Sequence, residues 1–170
     1  LVALVVTVFI AGVLVFRMPL PDHDVDVSGL ALNDFVEIIR DDRGVPHIYG
    51  SNVDDILFAQ GYIHAQDRFW QLEFGSHLST GRLASLIGEP GIGADLLFRT
   101  YGFNRVAQKE YEEMSEEMKN DLIQYTKGIN AYINSRPQRA LSLEHFFLTF
   151  INPDYVVDEY LPYYPLAWAK

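Results

Sequence analysis

The run Gly61-Tyr-Ile-His-Ala-Gln-Asp-Arg-Phe-Trp-Gln-Leu-Glu73 constrains the chain most, because it is a helical apolar stripe with a carboxylate set into it. Ile56, Ala59, Ile63, Trp70, Phe74 and Leu78 recur at helical steps with one gap, and Asp67 falls into that gap. An aspartate on a buried face needs partners, since an unpaired buried carboxylate costs several kcal/mol or is forced to protonate. Arg40, Arg43, His47 and Arg82 are the candidates. The pattern alone leaves two roles open, a catalytic group or a structural clamp.

The elements around this run follow from local chemistry. Ser51-Asn-Val-Asp-Asp55 offers N-cap oxygens and dipole-matched carboxylates, so a helix starts there, with Ser51 as the expected cap. It is apolar nearly all round through Ile63, which indicates deep burial, and it should run to about Ser79 before Thr80-Gly81 breaks or bends it. Arg82 to Ile87 adds a short helix closed by Gly88-Glu-Pro-Gly91. Upstream, Phe35 to Tyr49 has a hairpin pattern around Asp41-Asp-Arg-Gly44, and Pro46 must lie at a sheet edge or open its strand. Downstream, Asp95 to Glu113 is helical with a weak point at Gly102, and Ser115 caps a helix that ends before Pro137. That helix turns inward the face Met118, Leu122, Tyr125, Ile129, Tyr132 and Ile133. Leu141 to Pro165, rich in Phe, Tyr and Pro, reads as an aromatic loop packed against a larger body than these residues provide. The fold class is α+β and mostly helical, a β-hairpin followed by helices.

Three segments divide the chain. Residues 1–16 are uninterruptedly apolar, which suits an uncleaved membrane anchor better than a cleaved signal, as no small-x-small site follows. The flank Asp22-His-Asp-Val-Asp26 lacks clustered positive charge and suits the translocated side, making the bulk of the chain extracytoplasmic. Residues 17–33 read as a solvated linker, and 34–170 as the domain. The start at Leu1 rather than Met, and an amphipathic pattern opening at Leu166-Ala-Trp-Ala-Lys170, lead us to expect a fragment truncated at its C-terminus.

Several chemistries are excluded or weak. A net charge of −10 with no Lys/Arg run argues against a nucleic-acid partner. The absence of cysteine removes disulfides, thiolate catalysis and Cys-based zinc sites. His64 and Asp67, one helical turn apart, could join His47 as three N/O metal ligands, a weak signal against ordinary hydrogen bonding. Ser, His and Asp occur in no recognisable triad order, and no Gly-x-Ser-x-Gly elbow is present. Gly88-Glu-Pro-Gly-Ile-Gly93 lacks the Lys-Ser/Thr ending of a phosphate loop.

Taken together, Arg40-Asp-x-x-Gly-x-Pro-His-Ile48, Gly61-Tyr-x-His-Ala-Gln-Asp-Arg68 and Thr80-Gly-Arg-Leu-Ala84 followed by Ile87-Gly88 resemble the penicillin acylase (penicillin amidase) family over roughly residues 35–170. The resemblance implies an N-terminal nucleophile hydrolase: a precursor that cuts itself and exposes a serine whose own α-amino group acts as base. Such enzymes hydrolyse linear amides, including the side-chain acyl groups of β-lactams and acyl-homoserine lactones, through an acyl-enzyme. The fold implied is a four-layer αββα sandwich, to which this α-chain-like portion contributes its hairpin and helices. The downstream β-chain portion of the same precursor is the implied partner and carries the nucleophile. On this basis the fragment holds no catalytic residue, no metal ligand and no cofactor, and calcium belongs to the complete enzyme.

Gly50-Ser-Asn52 imitates the family's processing site but stands at the start of a helix, where Ser51 serves as a cap. His77 stands where an arginine is common and Ser85 where a glutamate is frequent, which changes the local salt bridges expected. The resemblance recasts Arg40, Asp41, His47, His64, Asp67 and Arg68 as a structural network, with Asp67 and Arg68 tying the long helix to the hairpin. The rival reading is a membrane-tethered, non-enzymatic helical module that binds a partner through the aromatic tail.

Overall fold

Helix α2, Val53–Ser79, is the axis on which the other elements pack, and its sequence explains both its ends and its break. In this computed structural model, which describes residues 1–23 and 26–170, Asn52 rather than Ser51 caps it, accepting the Asp55 N–H at 2.9 Å. Ser51 instead donates to Asp34 Oδ2 at 2.8 Å. Asn is as good a cap as Ser, and here its amide also donates to Asp55 Oδ2 at 2.7 Å while its Oδ1 takes the cap bond. At the far end Thr80 is the C-cap and Gly81 turns the chain at φ 68°, where an added Cβ would meet the Arg99 side chain at 2.6 Å. Between them Arg68 leaves the helical region (φ −141°, ψ 32°), splitting α2 into two halves.

The N-terminal half crosses α6, Glu116–Asn134, at unusually close range. A Cβ on Gly61 would lie 1.9 Å from the Tyr125 carbonyl oxygen, and one on Gly128 would lie 1.9 Å from that of Phe58. Backbone therefore rests on backbone, which any side chain larger than hydrogen would prevent. Around the crossing sit Ala65, Phe69, Ile129, Tyr132, Leu141, Tyr160 and Tyr164, the main core. Burial of each large apolar side chain here contributes about 1.5–3 kcal/mol. As expected, α6 begins at Ser115, whose Oγ accepts the Met118 N–H at 3.3 Å, and it stops ahead of Pro137.

The hairpin forms from β1, Glu37–Arg40, and β2, Pro46–Tyr49, antiparallel with Arg40 opposite Pro46. Pro46 is the first residue of its strand, so its missing N–H is no loss to the ladder. Asp41 shapes the turn, its Oδ1 accepting the N–H groups of Val45 and Arg43 at 2.8 and 3.0 Å, while Gly44 adopts φ 79°. Those bonds, that to Val45 first, hold the Asp41 carboxyl below its usual range.

After α2 come α3, Leu83–Ile87, a single 3₁₀ turn at Glu89–Gly91, α4, Ile92–Tyr101, and α5, Phe103–Glu113. The α4–α5 break falls at Gly102, which is left-handed at φ 77°. Buried Asp95 in α4 accepts the N–H groups of Leu83 and Ala84 at 2.5 and 2.9 Å and so caps α3 from outside. A second cluster, Leu83, Leu86 and Leu148, packs here against Trp70, Phe74 and Leu78.

The tail is not a loop throughout. It contains α7, Leu143–Ile151, capped by Ser142, and α8, Tyr164–Trp168. Its aromatic composition concealed an ordinary N-cap followed by an uninterrupted run that the main chain satisfies as a helix. Tyr160 and Tyr164 enter the core, whereas Phe150 and Ile151 stay 72% and 73% exposed.

The apolar terminus forms α1, Val2–Arg17, 16 residues and so about 24 Å long. Among the described residues no helix is long and apolar enough to cross a membrane. The part of the acidic flank at Asp24 and Val25 lies outside the described residues. The connection to β1 is pinned at its end, where Asp55 Oδ1 accepts the Asn33 N–H at 2.9 Å and Oδ2 the Asp34 N–H at 2.8 Å. Burial alone would raise the Asp55 pKa, but these bonds and one from the Asn52 side chain hold it below the usual carboxylate range.

Candidate functional site

Two polar assemblies flank the break in α2. On the N-terminal side, Asp67 meets Arg40 from the end of β1 in a two-pronged pair, Nη1 to Oδ2 at 2.9 Å and Nη2 to Oδ1 at 2.8 Å. Arg40 also donates to Gln66 Oε1 at 3.0 Å and to the Gly44 carbonyl at 3.1 Å, so one guanidinium gathers turn, strand and helix. Of the four partners considered for Asp67, Arg40 is the one that meets it. Arg82 is engaged elsewhere, with Asp158 and Tyr164 Oη at 2.9 and 2.7 Å.

Asp67 is not on the buried face. Its side chain is 27% exposed, because the residues that face inward are Ile63, Ala65, Phe69 and Glu73. Beyond Asp67 the non-helical turn at Arg68 shifts the phase of the stripe, so that Phe69 and Glu73 are buried where a regular 3.6-residue period places Trp70 and Phe74. Arg68 is exposed at the break and lines the groove described below; among the described residues it makes no hydrogen bond or ion pair with the hairpin. His47 Nε2 lies 3.7 Å from Asp41 Oδ2 on the hairpin. His64 Nδ1 pairs with Tyr125 Oη at 2.9 Å, and burial lowers its pKa against the opposing charge of Asp67. His47, His64 and Asp67 are thus not brought together as metal ligands, and the described residues contain no group of three His, Cys, Asp or Glu able to hold a metal.

On the C-terminal side lies a cluster that the sequence reading missed. Glu73 and His145 are 4% and 0% exposed, with Oε2 and Nε2 2.5 Å apart. Tyr155 Oη donates to Glu73 Oε1 at 2.6 Å and lies 3.3 Å from His77 Nε2, while His77 Nδ1 sits 3.0 Å from the Glu73 carbonyl. Burial pushes the His77 imidazole below its ordinary pKa, partly offset by the Glu73 carbonyl and carboxylate. Burial, and then the Glu73 charge, push the Tyr155 phenol upward. The available signal was the Glu73–His77 spacing of one helical turn, and their partners lie too far along the chain for spacing to connect.

A groove of about 540 Å³ runs between these assemblies, walled by Pro19–Pro21, Arg40, residues 66–71 of α2 and the start of α7. No residue that the three motifs single out lines it as a nucleophile. The motifs instead meet at packing positions: Gly61 at the helix crossing, Asp67 at the hairpin tie, Gly81 at the turn after α2.

Residues 35–170 match the family model described as penicillin amidase. The chain belongs to that family. It is 37% identical over 100 residues to the penicillin acylase 2 proenzyme of Pseudomonas sp. (strain SE83), covering 59% of this chain. It is 36% identical over 107 residues to the acyl-homoserine lactone acylase QuiP of Pseudomonas putida, covering 63% of this chain. With penicillin G acylase of Escherichia coli it shares 29% identity over 109 residues. The chain spans 13% of the length of each of these relatives. Among solved structures it is similar to a thermostable penicillin G acylase from Alcaligenes faecalis, with TM-score 0.64 and 22% identity, over 79% of this chain and 70% of that one. That likeness shows the fold, an α+β, mostly helical unit with an antiparallel hairpin. The relatives together mark an amidohydrolase family.

Proposed function

We propose that this chain is the α-chain-like portion of a penicillin-acylase-type amidohydrolase that cleaves a linear amide through an acyl-enzyme on a serine outside residues 1–170. The observation that carries this reading is the family match over 35–170, combined with motif residues that serve packing rather than chemistry. The network of Arg40, Asp41, His47, His64 and Asp67 is in this reading a scaffold, from which the expected member Arg68 stands apart. Arg40 and Asp67 join hairpin to helix, Asp41 sets the turn beside His47, and His64 joins α2 to α6 through Tyr125.

Exposed Ile39, Phe150, Ile151 and Val156 suit burial against a further chain, and the proposed partner is the downstream portion of the same precursor. One relative's designation as a proenzyme supports processing. Acyl groups of β-lactams and acyl-homoserine lactones are the proposed substrate classes, following the names of the relatives. The apolar residues 1–16 support an extracytoplasmic location, by export or by anchoring at a membrane. Calcium does not fit the carboxylates here: of the buried ones, Asp55 and Asp95 are already filled by N–H donors and Glu73 is taken up by Tyr155 Oη and His145, and no three-ligand group exists among the described residues.

The test is to express the complete protein that contains residues 1–170 and assay it with a chromogenic phenylacetyl amide and with N-acyl-homoserine lactones. Two chains, the second beginning with serine, and release of free acyl acid are expected. A protein that stays uncut and hydrolyses neither amide overturns the proposal.

A further inference from the structure

Ser142, His145 and Glu73 form a connected series that leads inward from the groove wall. Ser142 Oγ is 2.8 Å from His145 Nδ1, and His145 Nε2 is 2.5 Å from Glu73 Oε2. His145 is fully buried and Glu73 nearly so, and these two facing atoms have no hydrogen-bond partner among the described residues. At this separation in a buried setting the carboxylate acts on the ring by its charge. Ser142 is half-buried and lines the groove together with Phe69, Trp70 and Leu141.

We propose that Ser142 is a nucleophile, with His145 as its base and Glu73 orienting that base, for hydrolysing small esters of apolar acids bound in this groove. This centre is separate from the downstream serine of the proposed amidase. Ser142 also accepts the His145 N–H at 3.3 Å as the cap of α7, and capping alone would account for an oxygen at this position. Capping does not account for an imidazole placed on the hydroxyl with a buried carboxylate behind it. The negative carboxylate beside Nε2 favours the proton there, which leaves the Nδ1 lone pair facing the serine hydroxyl.

The chemistry balances without a cofactor. As Ser142 Oγ bonds to the acyl carbon, its proton passes to Nδ1. The carbon–oxygen bond to the alcohol then breaks, and the alcohol leaves with that proton. Water attacks the acyl-serine, gives a proton to Nδ1, and the acid departs as Ser142 Oγ takes that proton back. The N–H of Leu143, adjacent to the nucleophile in the first turn of α7, has no intrahelical acceptor and is a donor for the developing oxyanion. Phe69, Trp70 and Leu141 give the acyl group apolar walls.

The experiment treats the complete protein with a fluorophosphonate probe and maps labelled peptides by mass, which separates Ser142 from any downstream nucleophile whether or not amidase activity is found. Label on the Ser142 peptide is expected. Ser142→Asn, which keeps a capping oxygen, should lose it. His145→Gln and Glu73→Gln should lower the maximal labelling rate at Ser142 by roughly 10²-fold, with the half-saturating probe concentration unchanged. Absence of label at Ser142 in protein with native near-UV circular dichroism overturns the proposal, as does labelling at an equal rate in both Gln variants. Should those variants fail to fold, p-nitrophenyl butyrate decides. A burst amplitude lower in Ser142→Asn than in the parent upholds the centre, and an amplitude equal in the two refutes it.

Discussion

The carboxylates that stand on either side of the break in α2, Asp67 and Glu73, are used in opposite ways. Before the break at Arg68, Asp67 faces the open and holds Arg40 in a two-pronged pair, 27% exposed. After the break, Glu73 is buried between His145, Tyr155 and His77. The geometry of the first pair is better, yet the second is the one whose loss should cost more. An ion pair reached by solvent contributes about 0–1 kcal/mol, because water and salt screen it. Removing one member of a buried pair strands the other and costs about 3–5 kcal/mol. Environment, more than the number of hydrogen bonds, sets the worth of a charge.

The most damaging way to break this comparison is to remove the platform of the first half. Gly61→Ala places a Cβ 1.9 Å from the Tyr125 carbonyl, so α2 and α6 must separate, and a loss of more than about 3 kcal/mol is expected. In the complete protein this reads as a collapse in soluble, folded yield, and wild-type yield with an unshifted melting temperature would show that the crossing can yield. Next comes Glu73→Ala, expected to cost about 3–5 kcal/mol in chemical denaturation by stranding His145 and Tyr155. Asp67→Ala should cost only about 1 kcal/mol, measured in the same way. The ranking of these two is the sharp test: an Asp67 variant less stable than the Glu73 variant would reverse the account given above.

The smallest effect is one of pH. Burial depresses the His77 pKa, so in acid the unfolded chain takes its proton before the native one. The stabilisation is therefore complete above the unfolded imidazole value of about 6.5 and is lost as pH falls below it toward the folded value. From about pH 7.5 to 5.5 the melting temperature of the parent should drop about 2–4 °C more than that of His77→Gln. Parallel curves for the two proteins would mean that His77 titrates as a solvent-exposed histidine does.

Much of the fold could be read locally. The hairpin with Pro46 opening its strand, the Ser115 cap, the turn at Gly81 and the break at Gly102 each depend on residues within a turn or two of one another. Where two neighbouring residues could serve equally, local reading chose wrongly, and Asn52 rather than Ser51 caps α2. The helix at Leu143–Ile151 was missed because aromatic composition was weighed above the Ser142 cap that precedes it. Of the candidate site, Arg40 was among the partners considered for Asp67, and the residue motifs carried the family. The Glu73–His145–Tyr155 cluster was invisible, since its members come from α2, α7 and the segment that follows α7.

By itself the sequence determined the family and the succession of elements from the hairpin through α6, because caps, turns and the spacing of motif residues act over short separations that the chain order records. Only the tertiary structure decided which carboxylate is buried. A single non-helical residue at Arg68 rotates everything beyond it, and burial depends on what then packs against each face. It likewise decided what Gly61 is for. No local pattern distinguishes a glycine that bends a helix from one that lets a second helix lie against it.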